Sequence, residues 1–142
     1  MSPEQNIKRA GVFQKLAMRD KLEVSKKRQS LTLLTQEREN NQQIKEQLEE
    51  LIEQARMKND MLTGLALQSA SWFSTQMRDQ LEIITNRCVH LDREIEQLRQ
   101  TMAQAERRRT KKTEKAAELF SQARRDRQDR QDAELNDRPR KR

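Results

Sequence analysis

Apolar residues recur along this chain in alternating steps of four and three. From Met77 through Leu81, Ile84, Cys88, Leu91, Ile95, Leu98 and Met102 to Ala105 the alternation is unbroken, which is the seam of a helix that packs lengthwise against another. The same phase continues through Arg109 and Lys112 to Ala116, Leu119 and Ala123, so the stripe persists while its middle turns polar. An earlier stretch repeats the pattern less cleanly. Ile44, Leu48, Leu51, Ala55, Lys58, Leu62 and Leu65 keep the spacing, and Phe13, Leu16, Val24, Leu31 and Leu34 add apolar positions upstream. Residues 35–43, TQERENNQQ, hold no apolar residue, so a helix there is expected to be weakly held, mobile or dependent on a partner. Strands are disfavoured, because β-branched and aromatic residues never alternate over a useful length.

The two predicted helices meet near residue 67. Gly occurs only at 11 and 64 and Pro only at 3 and 139, leaving two long segments without a strong breaker. Between them lies TGLALQSAS, whose Gly64 suits a helix C-terminus and whose Ser69 or Ser71 suits the cap of a helix opening with Trp72. A short connector favours antiparallel neighbours. Folding about it sets Leu62 opposite Met77, Ala55 opposite Ile84, Leu51 opposite Cys88, Leu48 opposite Leu91 and Ile44 opposite Ile95. It also sets Asn41 against Leu98 and Lys27 against Lys112, so pairing falls away from the connector. The expected fold is therefore all-α: a single domain over 1–142, formed as a long two-stranded antiparallel coiled-coil hairpin. Its first arm spans about 5–62, its connector 63–71, its second arm about 72–136 and a basic tail 137–142. A homodimer of the same heptads is the structural alternative.

Composition supports extended helices over a deep globular core. Ala, Val, Ile, Leu, Met, Phe, Trp, Tyr and Cys make only 32% of the 142 residues, against the 45–50% typical of globular domains. Ala, Glu, Lys, Leu and Arg make half of the chain, the share found in coiled coils. Charge is uneven: 30 Lys and Arg oppose 23 Asp and Glu, a net of +7, of which residues 106–142 carry +6. The bases run from ERRRTKKTEK to RPRKR, and Lys26, Lys27 and Arg28 add to them across the hairpin. A positive end suits an acidic protein surface or a polyanion. Nucleic acid is disfavoured, because no aromatics interleave the bases and acids interrupt them.

Little in the sequence points to catalysis. Cys88 and His90 are the only Cys and His, and two residues apart on a helix they face different directions. Neither clustered metal ligands nor a Gly-rich phosphate loop is present, so no catalytic, metal or cofactor site is expected. A single Cys excludes an intrachain disulfide, and no stretch approaches a membrane span, so a cytoplasmic setting is expected. The apolar anomaly lies at the hairpin tip. Met57, Met61, Leu65, Leu67, Trp72 and Phe73 are more than a two-helix turn can bury, and they form either a small closing cluster or a partner site.

These features resemble the FliJ family of the bacterial flagellar type III export apparatus. The resemblance rests on overall length, the F-x-x-L start at Phe13–Leu16, and the polar first helix running into KEQLEELIEQ. It extends to the turn before a Trp/Phe-led helix, the segment QMRDQLEIITNRCVHLDREI, and the basic last stretch reaching Glu134-Leu135-Asn136-Asp137. The chain departs from the family in having no Tyr, with Gln54 and Lys58 where exposed aromatics would be expected. The resemblance implies a non-enzymatic stalk in the cytoplasm, peripheral to the inner membrane, that enters and assembles the hexameric export ATPase. It implies as further partners the cytoplasmic part of the membrane export gate and substrate-specific export chaperones. On it, the ATPase contact falls to Phe13, Leu16, Arg107, Arg108, Arg109, Lys111, Lys112, Leu119 and Phe120. The gate contact falls to Gln47, Leu51, Gln54, Met77, Leu81 and Ile84, with Met61, Leu65, Trp72 and Phe73 at the tip. A virulence-type secretion stalk and a nucleic-acid- or ribosome-associated coiled coil are the alternatives.

Overall fold

The computed structural model describes residues 2–58 and 63–137, in two helices: α1 (Pro3–Lys58) and α2 (Gly64–Asp137). They pack against each other as an all-α helical hairpin, with no strand among the described residues. α1 opens on a reciprocal cap. The Gln5 N–H donates to Ser2 Oγ at 3.2 Å and the Ser2 N–H to Gln5 Oε1 at 3.4 Å, while Pro3 and Glu4 fill the first turn. Proline needs no donor there and the acid suits the positive end of the helix. The sequence reading missed this cap and began the arm two residues late.

The connector assignment, 63–71, is corrected at every residue but Thr63. Residues 64–71 are helical, and the first α2 hydrogen bond runs from the Leu67 N–H to the Thr63 carbonyl at 2.8 Å. Thr63 therefore takes the capping position expected of Ser69 or Ser71. Leu65, Ala66, Leu67 and Gln68 are good helix formers, and nothing in TGLALQSAS forces a left-handed residue. No described residue has a positive φ, Gly64 included. Met61 and Leu62 lie outside the described residues.

The seam of α2 follows its predicted phase throughout. Cys88, Leu91, Ile95, Ala105, Ala116, Leu119 and Ala123 are buried, and Met77, Leu81, Ile84, Leu98, Met102, Arg109 and Lys112 are half-buried. The seam of α1 is partly different. Asn6, Ala10, Ala17, Asp20 and Val24 are buried and Phe13, Lys27, Leu31 and Leu34 half-buried, and the same four-three stepping continues through Arg38, Asn41, Lys45, Leu48, Ile52 and Ala55. Ile44 and Leu51 fall outside it, 44% and 45% exposed. They share an alternation with Leu48 and Ala55 that imitates a seam, half a heptad from the one fixed by the helix upstream.

The register also differs from expectation. Lys112 meets Asp20 rather than Lys27, and Asp92 meets Arg38 where the expected register would give Gln47. The observed α1 partners lie seven and nine residues earlier than the expected ones.

The hairpin divides into two units, Met1–Lys27 with Thr101–Arg142, and Arg28–Gln100. In the first, Ala10, Ala116 and Leu119 form a tight cluster over which Phe13 and Phe120 pack. Small seam residues bring the helix axes close, and the two Phe rings fill the flanks. A polar pair joins this seam: Lys112 Nζ donates to Asp20 Oδ2 at 2.6 Å, with the Asp20 side chain 10% exposed.

In the second unit Cys88, Leu91 and Ile95 make the buried strip. Opposite them runs the stretch without apolar residues, helical along its whole length. Arg38 donates to Asp92 from Nε at 2.8 Å and to Gln42 from Nη1 at 2.8 Å, and Glu37 pairs with Arg87. Cross-helix ion pairs here replace the side-chain packing that the sequence cannot supply.

Candidate partner-contact surfaces

The nine residues expected at an ATPase contact all belong to the first unit, but they do not form one surface. Leu119 is buried in the seam and Phe13 and Phe120 are half-buried against it. Lys112 is bound to Asp20, and Arg109 is tied along its own helix to Glu106 Oε1 at 2.9 Å. Arg108 reaches across to Glu23 at 3.3 Å. Arg107 and Lys111 are exposed, with Arg107 Nε donating to the Ala103 carbonyl at 3.4 Å. Leu16 is half-buried. The accessible positive charge of this set is thus carried by Arg107 and Lys111, with Arg108 exposed but paired to Glu23. The other members shape the seam.

The six residues expected at a gate contact belong to the second unit and split in two. Gln47, Leu51 and Gln54, spaced four and three apart, lie on one exposed face of α1. Gln54 is steadied by donating to Glu50 Oε1 at 3.3 Å. Met77, Leu81 and Ile84 are half-buried seam residues of α2 and stabilise the pairing. Ile44, three residues before Gln47, extends the exposed face by one step, although spacing alone places it in the seam.

Of the tip residues, Met61 lies outside the described set, and the others stand on the first turns of α2. Leu65 is 80% exposed and Trp72 67%. They are seven residues apart and share a face, and Phe73 borders the same shallow depression as Trp72. Among the described residues the arrangement is an exposed surface patch.

Elsewhere Cys88 is a buried free thiol and His90 Nε2 pairs with Glu94 Oε1 at 2.8 Å on the surface. Among the described residues no three His, Cys, Asp or Glu gather as a metal set, and no helix is long and apolar enough to cross a membrane. Two guanidinium pKa values are raised above their ordinary value. Arg38 is held charged by its hydrogen bonds to Asp92, against a small opposing effect of burial, and Arg87 by its hydrogen bond to Glu37. Both are structural cations with no titration near neutrality.

No protein-family model, curated protein or solved structure matches the chain.

Proposed function

We propose that this chain is a non-enzymatic stalk of a bacterial type III protein export apparatus of the flagellar kind, with a chaperone role toward export partners. In this reading it works in the cytoplasm at the inner membrane. Its first unit enters the hexameric export ATPase and its second engages the cytoplasmic part of the export gate. The observation that carries the reading is the face Gln47–Leu51–Gln54. Leu51 and, three residues before Gln47, Ile44 lie off the seam on this face, and the reading assigns their burial to another protein. The hairpin closes its own seam, which suits a chain that contacts partners with its outer faces. Exposed Arg107 and Lys111 suit an acidic ring surface.

Such a stalk couples ATP hydrolysis to export by contacting two ring states unequally, the minimum that any coupling requires. The test titrates the purified protein into the export ATPase and follows ring formation and ATP turnover together. Saturable stimulation near one chain per ring is the expected result, and it weakens with added salt. Absence of both binding and stimulation by a fully helical protein refutes the reading. Steeply salt-dependent RNA binding in its place would move the assignment to a nucleic-acid coiled coil.

A further inference from the structure

One flank of the first unit carries a groove that neither helix fills. Its α1 lip is Ile7, Gly11, Gln14, Met18 and Lys21, and its α2 lip is Thr113, Ala117, Phe120, Arg124 and Arg127, both in steps of four and three beside the seam. Two open depressions follow this line. One, of about 490 Å³, is floored by Ala17 and Ala116 between Met18, Lys21 and Arg109. The other, of about 400 Å³, is floored by Ile7, Phe120 and Ala123 beneath Arg124 and Arg127.

Gly11 gives the groove its meaning. Its φ is not positive and an added Cβ would meet nothing within 4 Å. Neither backbone conformation nor a neighbour in this chain accounts for glycine inside a helix, where it is disfavoured. The open space at Gly11 leaves room for another backbone to approach the lip closely.

Charge identifies what crosses. No carboxylate lines either depression. Lys21, Arg124 and Arg127 form no ion pair or hydrogen bond with another described residue, whereas Arg109 is held by Glu106. A second copy docking the same flank would oppose these cations to their own counterparts, which costs association energy. Base stacking would require exposed aromatics, and Phe120 is half-buried.

We propose that this groove docks an acidic amphipathic helix of a partner protein. Its apolar stripe rests on Ile7, Met18, Ala117 and Phe120, beside Gly11. Its carboxylates meet Lys21 toward one end and Arg124 and Arg127 toward the other, completing a three-helix packing. The inference does not depend on the partner being an export ATPase.

The probe is a labelled synthetic helix of about three heptads with Leu and Ala on one face and Glu elsewhere, and a twin with Lys replacing every Glu. Fluorescence anisotropy with the full chain should show binding of the Glu peptide, weakened by salt, and at least about ten-fold weaker binding of the Lys twin. Arg124→Glu with Arg127→Glu should weaken the Glu peptide by about ten-fold or more. Gly11→Leu should do the same while the melting temperature stays level or rises, which separates a blocked lip from a damaged fold. Equal binding of both peptides, undiminished binding by either variant, or no binding at all would overturn the proposal. So would self-association of the wild type, seen by sedimentation and abolished by Gly11→Leu, because the occupant would then be a second copy. A peptide probe keeps this outcome separate from that of the ATPase titration.

Discussion

Leu48 and Leu51 are three residues apart in one helix and have different roles. Leu48 belongs to the seam; Leu51 shows 45% of its surface to solvent. Replacing Leu51 by Ala should leave the urea midpoint nearly unchanged, within about 0.5 kcal/mol. Replacing Leu91, 1% exposed, by Ala should cost about 2–5 kcal/mol by the same measurement. Equal losses would mean that Leu51 is packed after all and would remove the ground for a gate surface there. Gly11 offers a gain in place of a loss: Gly11→Ala should raise stability by about 0.5–1 kcal/mol, because the new methyl enters open space and favours the helix. At this scale the sequence was legible in α2, where every seam residue from Met77 to Ala123 could be named from spacing alone. It misled in α1 because Ile44, Leu48, Leu51 and Ala55 form a second stripe that shares members with the true one. The discriminating signal was upstream, in the phase running from Phe13 through Leu31 and Leu34.

Periodicity fixes which face of a helix is buried and leaves open how far it has slid along its neighbour, because a displacement by one heptad restores the same apolar contacts. Lys112 could have faced Lys27, one heptad beyond Asp20, without any change in the stripe. Polar seam residues remove this degeneracy. Asp20→Ala leaves the Lys112 ammonium without its partner in a half-buried position and should cost about 1–3 kcal/mol. Asp20→Leu combined with Lys112→Leu should recover most of that stability, since a buried ion pair is rarely worth more than well-packed apolar side chains. Cross-linking across the seam would then report whether the register has become mixed. The stretch 35–43 shows a related compensation, with Arg38–Asp92 and Glu37–Arg87 holding an otherwise unattractive segment. These pairs are largely exposed, so a double-mutant cycle on Arg38 and Asp92 should return a coupling below about 1 kcal/mol that shrinks with salt. The reading of the sequence as weakly held and the observation of a helix there are thus compatible: the ladder forms, on modest cross-helix support.

For the molecule as a whole, basic charge is concentrated in the first unit, while large apolar side chains stand exposed in both. The bases gather in the first unit, and Leu51, Trp72 and Leu65 stand exposed in the second. The proposed function therefore predicts separable defects. Arg107→Glu with Lys111→Glu should lower stimulation of the export ATPase while sparing binding to the gate, and Leu51→Asp should do the reverse. Loss of both activities by either variant, with helicity retained, would contradict two distinct contacts. Fold class followed from the sequence because a long heptad seam has few alternatives. The contact surfaces were only half legible, since seam and binding residues draw on the same apolar types and spacing alone cannot separate them. Burial could: it kept Leu119 and Lys112 in the seam and out of the contact surface, and it moved Ile44 and Leu51 out of the seam.

The single cysteine offers a clock that requires no engineering. Cys88 is 4% exposed, inside the buried strip of the second unit. A thiol reagent can modify it only when the helices part locally, so the labelling rate counts separations per unit time. Addition of a binding partner that clamps the second unit should slow this count, and a partner that prises the helices apart should quicken it. The wild-type chain thereby reports, through the rate at which one sulfur atom reacts, how often its two helices let go of each other.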